Sequence, residues 1–220
     1  MKQDLQIMFA RLFFAFSFIA TMAGCTTLPK PEVNPNSASQ ARHQAHLQEI
    51  AGIDQFSIKG RIGVQAEGKG FSGSLTWQHS KINDDIALYS PLGGQLASIK
   101  KTSENVTLED AKGNSITAAD AETLTQKTLG WQLPLAGLAD WSLGRPSSST
   151  IQASTWNEQG YLSTLKQDGW DIQYENYANQ NGHFLPSKIL LRNDKVYLKL
   201  LVESWSRITD SSTANSNSSN

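Results

Sequence analysis

The chain has 220 residues, with 19 Lys and Arg against 20 Asp and Glu and a formal net charge of −1. That balance offers no cationic field to a phosphate backbone, which excludes nucleic acid as a partner. Its only cysteine is Cys25, so no internal disulfide is available and the fold must rest on packing alone.

At the N-terminus Lys2 and Arg11 precede an apolar stretch, residues 12–20, broken only by Ser17; Ala23 and Gly24 then precede Cys25. A charged start, an apolar centre and small residues before a cut have the organisation of a secretory signal peptide. The stretch is shorter than the roughly 18–20 residues that cross a bilayer, so cleavage of residues 1–24 is expected and a permanent span is not. With Cys25 as the first residue beyond the cut, Met22-Ala23-Gly24-Cys25 resembles the lipobox of bacterial lipoproteins, although Met22 stands where leucine is usual. In such lipoproteins the thiol carries a diacylglyceryl group and the new N-terminus is usually acylated. Thr26 follows, where lipoproteins kept at the inner membrane commonly carry Asp; by that resemblance the anchor lies in the outer membrane, facing the periplasm. Each buried methylene of the anchor adds about 0.8 kcal/mol, so two or three chains hold permanently.

Residues 25–39 contain Pro29, Pro31 and Pro35 among Asn and Ser, and read as a semi-stiff tether. A single domain is expected over residues 40–208. Residues 209–220 are almost entirely Ser, Thr, Asn and Ala, a tail with too little apolar surface to order itself.

Within the domain, helical patterns cover residues 39–50, 118–129 and 134–143. The remainder alternates. Phe56, Ile58, Ile62 and Val64 interleave with polar residues, as do Phe71, Leu75 and Trp77, which predicts strands with one apolar face. Further strands are predicted at 85–89, 95–101, 105–109, 149–155, 161–166, 170–177, 188–192 and 195–204. Turn signals at 68–70, 110–114, 157–160, 168–169 and 193–194 join them into an antiparallel meander. The predicted class is mainly β with a few helices: a single antiparallel open half-barrel enclosing an apolar cavity, capped by helices.

Catalytic signatures are weak. Gly68-Lys69-Gly70-Phe71-Ser72-Gly73 fits a dinucleotide fingerprint in letters, but a strand pattern follows where a phosphate-cradling helix should open. Of His43, His46, His79 and His183, only the first two share a helix face, without a thiolate or carboxylate to complete a metal set; they read as solvated helix polarity. No Gly-x-Ser-x-Gly elbow occurs, and Asp84-Asp85 falls at a strand start or turn. The Asn105-Val106-Thr107 acceptor pattern has no use in a bacterial lipoprotein. No catalytic residue, metal ligand or cofactor is assigned, and a hydrolase would need a nucleophile or acid pair converging in a cleft.

Pro91 and Gly93 suit positions i+1 and i+3 of a type I turn, which leaves Leu92 at the tip of a hairpin-like loop. There it either meets a membrane or folds back onto the domain.

The lipobox, Phe56-Ser57-Ile58-Lys59-Gly60-Arg61, Ser90-Pro91-Leu92-Gly93, Ala119-Asp120-Ala121-Glu122 leading into Leu133-Pro134-Leu135, and Trp141-Ser142-Leu143-Gly144-Arg145-Pro146 together resemble the outer-membrane lipoprotein receptor LolB family. The resemblance covers residues 45–205. It implies a receptor that accepts acylated lipoproteins from the soluble periplasmic carrier LolA and inserts them into outer-membrane lipid without ATP. It implies no enzyme activity, and a monomer is expected. By the same match Pro91, Leu92 and Gly93 form a membrane-insertion loop, although Gly94 replaces a bulkier polar residue.

Candidates to line an acyl-chain cavity are Phe56, Ile58, Ile62, Val64, Leu75, Trp77, Ile86, Leu88, Leu96, Ile172, Tyr174, Leu198 and Leu200 on strands, with Trp131, Leu133, Leu138 and Trp141 as a lid. Periodicity gives the face of each but not whether space remains behind it, so each lines a cavity or fills a core. The alternative is a structural outer-membrane lipoprotein that binds a protein partner through a concave sheet; it expects a filled core.

Overall fold

The computed structural model describes residues 36–66 and 68–210. The expected signal peptide, Cys25 and most of the expected tether fall outside these residues, as does the expected tail beyond residue 210. Chain order is α1 (Ser37–Ile50), β1 (Ile53–Ala66), β2 (Lys69–His79), β3 (Asp84–Tyr89), β4 (Gln95–Lys101), β5 (Val106–Asp110), β6 (Ser115–Ala118), α2 (Ala121–Leu129), α3 (Leu135–Ser142), β7 (Ile151–Trp156), β8 (Leu162–Gln167), β9 (Trp170–Gln180), β10 (His183–Arg192) and β11 (Val196–Asp210).

The eleven strands make one antiparallel sheet in the order β6-β5-β4-β3-β2-β1-β11-β10-β9-β8-β7. It is open, with β6 and β7 as its edges. Strands β1 to β6 form one meander, α2 and α3 carry the chain between the edges, and β7 to β11 form a second meander that ends against β1. This is the half-barrel expected from the alternating pattern.

Sheet curvature has a local cause at Gly60. A register shift falls between Lys59 and Gly60 in the β1–β11 ladder. A Cβ at Gly60 would sit 2.1 Å from the Leu201 carbonyl oxygen. Only a residue without a side chain permits this approach, and a bulge there increases coiling. On β10, Pro186 lies beside a further register shift before Lys188, which accommodates its missing N–H.

Helix ends follow their side chains. Asn36 Oδ1 accepts from the Ser39 N–H at 2.7 Å to start α1, and Asp120 Oδ1 accepts from the Thr123 N–H at 2.6 Å to start α2. Gly130, at φ 83°, ends α2 in the left-handed region. Two expectations are corrected here. Residues 118–129 are not all helix, because Ala118 pairs with Val106 in β6. That edge strand itself was not predicted.

The histidine expectation is also corrected. His43 and His46 are buried, at 7% and 4% exposure. His43 stacks on Trp156 with centroids 4.3 Å apart and its Nδ1–H donates to the Gly160 carbonyl at 2.7 Å. His46 meets Tyr161 edge-on at 4.7 Å. Burial pushes the pKa of both imidazoles below the ordinary value. They are the sheet-facing stripe of α1.

The Trp141–Pro146 motif makes one buried polar joint at Trp141 and one half-buried joint at Arg145. Trp141 Nε1 donates to Gln167 Oε1 at 2.8 Å, and Gln167 Nε2 donates to the Ser149 carbonyl at 2.8 Å. Arg145 pairs with Asp140 at 2.8 Å and donates to the carbonyls of Ile50, Ala51 and Ile53. One guanidinium therefore supplies hydrogen bonds to the last carbonyls of α1 and the first of β1, as a cation at a helix C-terminus should. Arg145→Ala is expected to lower the free energy of unfolding by about 2–3 kcal/mol, the scale for hydrogen bonds to a charged group; Arg145→Lys should recover less than half in urea denaturation, lacking the fork.

Candidate functional site

The concave face of β1–β4 and β11, roofed from α2 to α3, encloses a cavity of about 460 Å³. Its walls are Ile62 and Val64 of β1, Phe71, Leu75 and Trp77 of β2, Ile86 and Leu88 of β3, Leu96, Ala97 and Ile99 of β4, and Leu198 and Leu200 of β11. Thr128, Trp131, Leu133 and Leu138 cover it. The volume lies within the ~300–1,000 Å³ usual for small-molecule sites, and such apolar lining suits a guest without charge.

Five of the expected lining residues lie elsewhere. Phe56, Ile58, Trp141, Ile172 and Tyr174 are buried in the core and do not border the cavity. Phe56 sits beyond Trp77 with their rings 5.3 Å apart. Trp141 packs toward Trp170 at 6.5 Å, and Ile172 and Tyr174 lie on β9, away from the cavity-bearing strands. Conversely, Ala66, Gly70, Phe71, Ala97, Ile99 and Thr128 border the cavity without having been candidates. Phe71 shares the inward parity of Leu75 and Trp77 and was readable by it, whereas Ile99 has the opposite parity to the candidate Leu96, and both Ile99 and Leu96 reach the cavity because the β3–β4 register shifts between Leu88 and Tyr89. The two alanines and Thr128 had no signal, being small or on a helix whose orientation only the fold decides.

The two ends of the cavity differ. Register pairs Val64 with Phe71 and Ile62 with Gly73, and Ser74 with Tyr89, so the β3–β4 loop emerges at the same end as Val64, Phe71 and Leu96. In that loop the Gly93 N–H donates to the Ser90 carbonyl at 2.9 Å, and the Ser90 N–H to the Gly94 carbonyl at 2.8 Å. Gly93 has φ 89°, giving a three-residue hairpin loop that turns and then closes through a left-handed glycine. Leu92 is 99% exposed at its tip. The fold-back alternative for Leu92 is therefore excluded.

At the opposite end Trp77, Phe56 and Trp205 close the cavity, with Phe56 to Trp205 at 5.1 Å. Behind them lies Asp84, whose side chain is fully buried. Its Oδ1 accepts from Trp77 Nε1 at 2.8 Å and from His79 Nδ1 at 2.6 Å, and Lys101 Nζ stands 3.3 Å from Oδ2. Burial alone would raise the Asp84 pKa; the hydrogen bond and charge of His79, the indole N–H and Lys101 outweigh it and hold the carboxyl below its ordinary value. The expected strand start is correct for this residue, but its role as a buried joint was not legible.

Among the described residues no three His, Cys, Asp or Glu side chains group to hold a metal, and no helix is long and apolar enough to cross a membrane. An open, helix-roofed half-barrel with an apolar cavity, and an apolar side chain projecting beside its mouth, is the architecture of a protein that shelters an apolar guest. The filled core required by the partner-binding alternative is not what the concave face contains.

Comparison with known proteins agrees. The family described as outer membrane lipoprotein LolB matches residues 54–205, and the chain belongs to that family. The outer-membrane lipoprotein LolB of Pseudomonas fluorescens strain Pf-5 is 35% identical over 198 residues, covering 90% of this chain and 97% of that one. That of Pseudomonas savastanoi pv. phaseolicola is 33% identical over the same shares. Among solved structures, a LolA superfamily protein from Nitrosomonas europaea is similar with a TM-score of 0.45 and 12% identity, over 76% of this chain and 94% of that one. The protein is an outer-membrane lipoprotein.

The depressed Asp84 pKa has a pH consequence. Its stabilising contribution is complete above the unfolded carboxylate value of about 3.9 and is lost as pH falls through the folded value. Asp84→Asn should cost about 1–3 kcal/mol at neutral pH, because the His79 N–H loses a charged acceptor. The variant's urea midpoint should then fall less steeply than the wild type's between pH 5 and the acid limit.

Proposed function

We propose that this protein is the receptor that takes lipoproteins from the soluble periplasmic carrier LolA and inserts them into the outer membrane, without ATP and without enzyme chemistry. The observation that carries this reading is the placement of the exposed Leu92 at the mouth end of the apolar cavity. Cys25 is the acylated anchor, so the domain works from the periplasmic side of the membrane that receives the cargo.

The physical need is large. Three acyl chains of about 16 carbons carry on the order of 35 kcal/mol of transfer free energy at about 0.8 kcal/mol per methylene, so the cargo cannot cross water unshielded. Direction requires no fuel if the receptor holds the chains more tightly than the carrier, since each 1.4 kcal/mol shifts the exchange about tenfold. The bilayer is the final and deepest sink. Leu92 enters the lipid headgroup region first, bringing the cavity mouth against the surface into which the chains move.

Two experiments test the steps separately. A soluble form beginning after Cys25, mixed with LolA carrying a radiolabelled lipoprotein, should take up the label; label that stays on an active carrier while another LolB removes it refutes the receptor reading. Leu92→Glu should accept cargo normally yet deliver it to liposomes about tenfold more slowly, equivalent to ~1.4 kcal/mol on the barrier. That is less than the ~2.5–3.5 kcal/mol charge penalty at a bilayer centre, as suits an interfacial tip. An unchanged delivery rate would remove Leu92 from the mechanism.

A further inference from the structure

Trp77 lines the apolar cavity at the end away from Leu92, level with Ile86 and Ile99 in the strand register, and it is also tied to something outside that cavity. Its indole N–H donates to Asp84 Oδ1 at 2.8 Å, and the ring is 1% exposed. Phe56 and Trp205 back it. On the far side lies a second, polar groove of about 370 Å³, bordered by Phe56, His79, Asp84, Lys101 and Arg207 among others. The Trp77 ring, backed by Phe56, stands between an apolar compartment and one that holds the Asp84 carboxylate and Lys101.

We infer that Asp84 is a positioning residue that sets the depth of the cavity: by pinning the Trp77 indole it fixes the closed end against which the terminal methyl of an acyl chain stops, and so limits the chain length the domain accepts in full. The inference rests on the acyl-chain reading of the cavity and adds its specificity. Two physical effects make the stop firm. An indole held by a hydrogen bond to a buried side-chain oxygen, with a second aromatic ring at its edge, has little freedom to rotate aside. A methyl that did pass would emerge beside Asp84, His79 and Lys101 and would displace their solvent without offering a hydrogen bond in return. Below the limit each methylene adds about fourfold in affinity, the ratio equivalent to 0.8 kcal/mol; above it, further methylenes stay at the mouth and add little.

Asp84 does not border the cavity, which distinguishes it from the lining residues. Its effect passes through one N–H, and an asparagine at this position retains a carbonyl oxygen for that N–H. Rescue by the conservative variant is therefore part of the inference.

The test uses the full acylated chain in lipid nanodiscs, with fatty acids of increasing length that each carry a photoreactive diazirine on the terminal carbon. After irradiation the labelled residues are mapped. In the wild type the label should move inward from Phe71 and Leu96 to Trp77 as the chain lengthens, then stay at Trp77 for all longer chains. In Asp84→Leu the longest chains should also label His79 or Lys101, moving the stopping point by a few methylenes, while Asp84→Asn should keep the wild-type map. Should Asp84→Leu fail to fold, Trp77→Phe, which removes the donor and retains an aromatic ring, asks the same question. An identical stopping point in the folded variants overturns the role of Asp84. A wild type labelled nowhere in the cavity overturns the acyl-chain reading itself.

Discussion

The pairing of the first strand with the last is the joint on which the rest of this structure depends. Strand β1 meets β11 from Ile53 opposite Asp210 to Ala66 opposite Val196, and in the sheet order no other strand pairing links β1–β6 to β7–β11. Without it there are two separate meanders and no common concave face. Leu198 and Leu200 would no longer stand beside Ile62 and Val64, and the cavity would lose one wall. The joint closes a long loop of chain, so its formation carries the entropy cost that makes such β topologies slow to fold. A long ladder, interrupted by register shifts on either side of Gln55 and at Gly60, offsets that cost.

A cavity-bearing protein cannot rely on side chains meeting in its middle, so rigidity has to come from around the cavity. Here it comes from a few buried or half-buried polar joints. Asp84 fixes one end through Trp77. Gln167 fixes Trp141 and the chain after α3. Arg145 fixes α1 to the start of β1. Each satisfies its partners with short hydrogen bonds, which is the condition under which buried polarity stabilises a protein and does not weaken it. The apolar residues are then free to serve as lining.

Much of this was legible in the sequence because the code for a curved sheet is local. Alternation at Phe56–Val64 and Phe71–Trp77 gave strands and inward faces correctly, and the Ser90–Gly94 turn residues gave a hairpin loop with Leu92 at its tip, while leaving open whether that side chain is exposed. What alternation could not give was depth. Phe56 and Ile58 have the same parity as Ile62 and Val64, yet two are core and two are lining, because Trp77 and Trp205 arrive from other strands to cover the first pair. His43 and His46 read as solvated because their cover, Trp156 and Tyr161, lies more than a hundred residues away. Strand β6 escaped because four residues with mostly exposed side chains carry almost no pattern.

The open edges at β6 and β7 give the wall an uneven stiffness. In a closed barrel, widening the interior requires ladder hydrogen bonds to break somewhere around the ring. In this sheet the ring was never completed, so the flanks can spread by small changes of twist at each strand pair while every rung stays intact. Only the α2–α3 crossing, which is a chain connection and not a ladder, ties the flanks together. The interior is then held as a spring clip holds its load: firmly along the β2–β1–β11 spine, and with a resistance at the rim that grows gradually as bulkier guests are admitted.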